Sequence, residues 1–212
     1  MNKGLTYALF PTPVHYNNIG TEYKIKVNDL TPCYTSTLGP QSNDKCNGLI
    51  TNNQNYLLHN ELLKVKIEEV IKQYLYDILK VNKKVGIKHQ CSWGLVHKKG
   101  HHSPRHNHRN AWLAGVYYFQ VNKNSGNLEV YSNFPYNWTC NSMAPFEAIN
   151  EYNAINSTEY AFEPKPGDIF IFPAHLYHQS YVNNSDEDRI CIVFNYTLSG
   201  CWGGMTEQMT LN

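Results

Sequence analysis

Seven of the ten histidines fall in two short stretches, His97-Lys-Lys-Gly-His-His-Ser-Pro-Arg-His106-Asn-His108 and Pro173-Ala-His175-Leu-Tyr-His178. A neutral imidazole is the commonest metal ligand among side chains. His106 and His108 stand two apart at what reads as the edge of a strand, where side chains at i and i+2 share a face. Two imidazoles on one face can share a metal, and a third ligand must then come from another strand. His178 meets that need, because it follows the buried-looking run DIFIFP. Three ligands on one side of a metal leave its remaining positions open to other molecules. His97, His101 and His102 read as solvated or hydrogen-bonded core residues, and His175 stays open between the two roles. The same pattern of His-x-His and a distant His also suits zinc, so the spacing alone leaves the metal undecided.

These side chains need elements to carry them. Residues 5–14 (LTYALFPTPV) read as a short strand stopped by Pro11 and Pro13. Residues 31–55 are polar throughout and read as loop. A helix is expected from about Glu61 to Val81, with Asn60 as N-cap. Its apolar face is Leu63, Ile67, Val70, Tyr74 and Ile78, at three- and four-residue steps. From residue 86 the period becomes strand-like, in GIKHQCSWGLVH, NAWLAGVYYFQV, GNLEVYS, DIFIFP and RICIVFNYTL. Short strands punctuated by Gly and Pro suggest a sandwich or barrel. The expectation is a mainly β chain with a supporting N-terminal helix, one domain over 1–212 with its barrel core at about 86–200. Residues 133–160 form a long, weakly patterned segment, the kind of loop that is functional or mobile. Tyr136, Trp138, Phe146 and Tyr152 either line a pocket there or simply fill the loop.

Composition narrows the classes. Lys+Arg number 18 against Asp+Glu 17, a formal charge of +1, so no basic surface invites nucleic acid. No apolar run approaches the roughly 18 residues of a membrane span, and the start MNKGLTYALFPTPV lacks the core of a signal peptide. The six cysteines form no C-x-x-C pair, and Cys91 and Cys191 read as reduced core residues. A reducing cytoplasm is the expected compartment. Oligomeric state is not indicated.

Gly100 followed after five residues by His-x-His resembles the first cupin motif, and Gly167, Pro173 and the His five further on resemble the second. The match is incomplete, because the Glu that follows His-x-His in cupins is missing from RNAWLAG. A fuller resemblance covers Ser92 to Asn195. The segments SWGLVHKKGHHSPRHNH, LAGVYYF, SGNLEVYS, PKPGDIFIFPAHLYH and RICIVFN are similar to a 2-oxoglutarate–iron oxygenase family of bacteria and marine phages, related to prolyl hydroxylases, and LFPTPV resembles that family's start.

The resemblance implies a double-stranded β-helix, or jelly-roll, barrel. It also implies an Fe(II) site that uses 2-oxoglutarate and O₂, and a small-molecule or peptidyl substrate oxidised with release of succinate and CO₂. His106 and His178 become iron ligands. Arg189, which follows His178 after ten intervening residues, becomes the partner of the distal carboxylate of 2-oxoglutarate, where an Arg fork would bind bidentately. Tyr118 adds a hydroxyl to that carboxylate, and Asn195 matches a position near the metal pocket. The residues also allow Arg189 to face outward and answer Asp186, Glu187 or Asp188. Most of the superfamily has Asp or Glu at the position of His108. His108 is therefore a third ligand, a neighbour of the ligands with water in the carboxylate's place, or a bystander to another ligand, and the first is preferred. If phage-encoded, the chain would work in the host cytoplasm. Against this stand a cupin-type enzyme or binding module without 2-oxoglutarate, a zinc lyase or hydrolase, and a non-catalytic jelly roll.

Overall fold

The computed structural model describes residues 11–33, 48–133, 150–153, 156–203 and 209–211. Three short strands come first: β1 (His15–Asn18), β2 (Leu30–Cys33) and β3 (Gly48–Thr51). A turn of 3-10 helix at Tyr56–His59 leads into α1 (Glu61–Lys72). The strands β4 (Gly86–His97), β5 (Ser103–His106), β6 (Leu113–Gln120) and β7 (Leu128–Tyr131) follow. After them come β8 (Glu159–Phe162), β9 (Asp168–Pro173), β10 (Tyr177–Ser180), β11 (Arg189–Trp202) and β12 (Met209–Leu211).

The helix starts where its cap predicts. The Asn60 side chain accepts a hydrogen bond from the Leu63 N–H at 3.4 Å, filling one of the donors that a helix start leaves open. Leu63, Ile67, Val70 and Tyr74 are all buried. The α-helix ends sooner than its periodicity suggests, however, and continues as a π-helical segment at Gln73–Ile78. There the Leu79 N–H donates to Tyr74 O at 3.0 Å, five residues back. A wider turn slips the apolar stripe round the axis, which explains why Ile78 is exposed rather than buried.

Two antiparallel sheets make the barrel. In the larger, the strand order is β1-β9-β6-β11-β4-β3-β2, with β12 paired to the end of β11; the smaller is β5-β10-β7-β8. The central strands of the larger sheet are nearly unbroken apolar runs, because both of their faces are covered. Along β6, Leu113 and Tyr117 pack with Leu63, Ile67 and Ile71 of α1. Ala114, Val116 and Tyr118 turn the other way, toward Leu128 and Val130 of β7. The helix therefore braces the outer face, and the space between the sheets holds a second core. Among the described residues no helix is long and apolar enough to cross a membrane.

The N-terminal expectations need correction. Residues 11–14 are not strand, and β1 lies beyond them at His15–Asn18, paired to β9; residues 5–10 lie outside the described residues. The polar stretch 31–55 is not simply loop, since β2 and β3 pair within it and β3 adds to β4. Their pairing is long-range and leaves little periodic trace in a Thr- and Asn-rich sequence. Pro32 sits in β2, the outermost strand on that side of the sheet, where a missing N–H costs no ladder bond. Residues 134–149 lie outside the described residues, but β8 occupies 159–162 at the end of the segment read as loop.

Candidate metal and anion site

His106 ends β5 and His178 lies in β10, and the two are direct cross-strand partners. Their rings are 4.4 Å apart. His108 is placed differently from expectation. It lies past the end of β5, and its backbone N–H donates to Ala174 O at 2.8 Å, so a turn rather than a strand pleat brings it in. One ligand atom from each of His106, His108 and His178 lies within 4.8 Å of the other two.

The hydrogen bonds select a tautomer. His106 Nδ1 is 2.7 Å from Pro104 O and His178 Nδ1 is 2.9 Å from Leu176 O. A carbonyl only accepts, so each Nδ1 carries the hydrogen and each Nε2 keeps its lone pair. Such an anchor is the usual outer support of a metal-binding imidazole. His108 Nε2 is buried with no hydrogen-bond partner, while its ring stacks on Trp93 at 6.2 Å. Burial, followed by the nearness of His106, pushes His178 down to about 3 and His108 down to about 4, with Asn195 opposing slightly at His108. Burial lowers His106 as well. All three imidazoles are therefore neutral at neutral pH. A buried nitrogen without a partner and two lone pairs oriented by backbone carbonyls fit a divalent metal ion.

The same cavity is lined by Arg189, Tyr118, His97, Ser103 and Cys191. Arg189 is fully buried, so its outward alternative is excluded. It joins none of the ion pairs among the described residues. Its guanidinium is not an open fork, however. Nη1 donates to Ser125 O at 2.5 Å and to Gly126 O at 2.9 Å, and Nη2 to His97 Nδ1 at 2.7 Å and to Tyr181 O at 3.3 Å. Only Nε–H lacks a partner. Gly126 is needed for this, because its φ is +93° and a Cβ there would lie 2.9 Å from Arg189 Nη1. A buried cation without an acid, and with one free donor, fits the carboxylate of an incoming anion.

Other expected residues separate. Tyr118 is buried beside Cys191, its partner in the β6–β11 register. Asn195 is not on the cavity wall; its Nδ2 donates to Cys91 Sγ at 3.4 Å and it sits behind His108. His175 is exposed and outside the trio. Tyr152 is exposed and does not line the cavity, while Tyr136, Trp138 and Phe146 lie outside the described residues. His97 is the hydrogen-bonded core residue that the sequence allowed rather than the solvated one, but sequence reasoning missed that its partner is Arg189. The only signal for it is strand register, His97 opposite Arg189, and that is not visible along the chain.

Residues 91–195 match the model of the family described as "Putative 2OG-Fe(II) oxygenase". No curated protein matches the sequence. Solved structures share the fold at low identity. The epimerase SnoN, in complex with Fe3+, alpha ketoglutarate and nogalamycin RO, has a TM-score of 0.55 and 11% identity, over 82% of this chain and 70% of its own. The carbocyclase SnoK from nogalamycin biosynthesis has a TM-score of 0.50 and 12% identity, over 75% and 68%. An oxidoreductase of the 2OG-Fe(II) oxygenase family from Burkholderia pseudomallei has a TM-score of 0.50 and 10% identity, over 71% and 68%. At such identities the likeness is one of fold, the double-stranded β-helix.

Proposed function

The chain belongs, through residues 91–195, to the 2OG-Fe(II) oxygenases, enzymes whose cofactors are Fe(II) and 2-oxoglutarate, and on that premise we propose that it is a dioxygenase that hydroxylates its substrate. The substrate is an amino acid, a peptidyl side chain or a small metabolite, and the coproducts are succinate and CO₂. The whole chain acts as one catalytic domain, braced by α1 and the N-terminal strands. The observation that carries this reading is the joining of two features in one cavity: three neutral imidazoles with ligand atoms within 4.8 Å, and a buried Arg189 without a carboxylate partner among the described residues.

In this reading His106, His108 and His178 hold the iron, which supplies O₂ binding and one-electron chemistry when bound. His108 takes the place that an acid holds in most of the superfamily, so the ligand set is neutral and the anionic charge at the centre comes from the cosubstrate. Arg189 Nε–H receives the distal carboxylate, with the Tyr118 hydroxyl beside it. The contact is narrower than the bidentate fork expected from sequence, because the terminal nitrogens are already engaged. Val116, Leu128, Phe172 and Val193 line the same cavity, and their apolar surface strengthens each charge interaction beside it. Hydroxylation is proposed from the resemblance of the sequence to the prolyl hydroxylases; among the structural neighbours SnoN is an epimerase and SnoK a carbocyclase.

Anaerobic titration tests the assignment. Fe(II) and 2-oxoglutarate together should produce a weak visible absorption band that neither produces alone. On admitting air, succinate should form. Absence of both signals would remove the oxygenase reading.

A further inference from the structure

His97 and Ser103 line the cavity but have no part in the chemistry above. His97 ends β4 directly opposite Arg189, the first residue of β11, and its Nδ1 is 2.7 Å from Arg189 Nη2. A guanidinium has no acceptor, so it donates and Nδ1 must carry the lone pair. In the neutral ring Nε2 then carries the hydrogen, and it donates to Ser103 Oγ at 3.1 Å. The ring is held from several sides. The Asn183 side chain donates to His97 O at 2.7 Å. A Cβ on Gly48 would lie 2.9 Å from His97 Cδ2, so only glycine leaves the ring its room. His97 as a whole is 1% exposed.

Among the described residues the other acceptors of Arg189 are the backbone carbonyls of Ser125, Gly126 and Tyr181. His97 is thus its side-chain acceptor, and Nη2 without it would keep only the 3.3 Å contact to Tyr181 O. With the terminal nitrogens satisfied, Nε–H is the donor left over. We propose that His97 is a positioning residue, whose Nδ1 lone pair fixes the Arg189 guanidinium with Nε–H as its free donor and so sets the affinity for the distal carboxylate of 2-oxoglutarate. The inference rests on the cosubstrate assigned above.

Replacing His97 in three complementary ways separates positioning from packing. Asn places an acceptor where Nδ1 was; Gln reaches the Nε2 end, toward Ser103; Phe fills the space with neither. Binding is measured by anaerobic calorimetry on the Fe(II)-loaded protein, with 2-oxoglutarate and with 2-oxopentanoate, which carries a methyl group in place of the distal carboxylate. His97→Gln and His97→Phe should weaken 2-oxoglutarate about tenfold, about one decade in Kd, and leave 2-oxopentanoate unchanged. His97→Asn should stay within about threefold of the parent for both ligands. Equal loss in the Asn and Gln variants, or equal loss for the two ligands, would overturn the positioning role. If His97→Phe does not fold, the Asn and Gln pair decides alone. A parent protein with no preference for 2-oxoglutarate over 2-oxopentanoate would refute the cosubstrate itself, and this inference with it.

Discussion

His178 shows how much a single side chain is asked to do. It is buried at the centre of β10, against His106 and the Phe172 ring, and a neutral nitrogen there has value only with something to bind. Replacing it with Ala should leave a folded barrel whose iron content, measured by metal analysis of the purified protein, falls to background. Unchanged iron would take His178 out of the site. A second expectation concerns the metal-free protein. The folded values of His178 and His108, about 3 and about 4, lie below the ordinary 6.5 of an imidazole. Between those limits the unfolded chain binds more protons than the folded one, so stability rises with pH. Acidification from about 6.5 toward 4 should therefore lower the urea midpoint of the metal-free protein steadily. His178→Leu should flatten the slope. A parent profile level across that window would contradict the burial argument.

At the scale of elements, the helix and the two-sided strands were legible because burial leaves a period. Leu63, Ile67 and Val70 mark the face of α1, and LAGVYYF and DIFIFP mark strands covered on both sides. The strands β2, β3, β8 and β10 were not legible. They are four residues long and two are largely polar, as in LTPC and YHQS, and their partners lie far away in sequence. The widening of the helix after Lys72 was hidden too, since an α-helical stripe and its π-helical continuation begin with the same residues. Because α1 supports the outer face of the larger sheet and does not reach the cavity, its core and the site are separable. Ile67→Ala should cost about 2–5 kcal/mol in denaturant unfolding, the usual range for such a truncation, with iron stoichiometry unchanged. Loss of metal along with stability would mean that the helix helps set the ligands.

For the whole molecule, the site joins the two sheets. His106 and His178 come from the smaller sheet and Arg189 and Tyr118 from the larger. A ligand that bridges them binds only the folded chain and must stabilise it by mass action. At a hundred times its Kd that is about 2.7 kcal/mol, or roughly 5–10 °C for a chain of this size. Fe(II) should raise the anaerobic melting temperature, and 2-oxoglutarate should raise it further only when metal is present. Arg189→Ala should keep the first increment and lose the second. An increment from 2-oxoglutarate that survives in that variant would move the distal carboxylate elsewhere.

By itself the sequence determined the chemical types and their order. His-x-His, a His after an apolar strand and a cation after ten further residues are facts of composition and spacing, and each is local. The apolar runs likewise determined that these residues ride on buried strands, because the free energy of burying a run depends mainly on its own side chains. Tertiary structure decided the rest. It brought His108 in by a turn held on Ala174 O, and it consumed Nη1 of Arg189 with carbonyls from the β6–β7 turn. It also set His97 against that cation, turning a histidine read as incidental into the acceptor nearest to Arg189 Nη2. These outcomes depend on register between strands distant in sequence, and a shift of one residue would send each side chain to the opposite face.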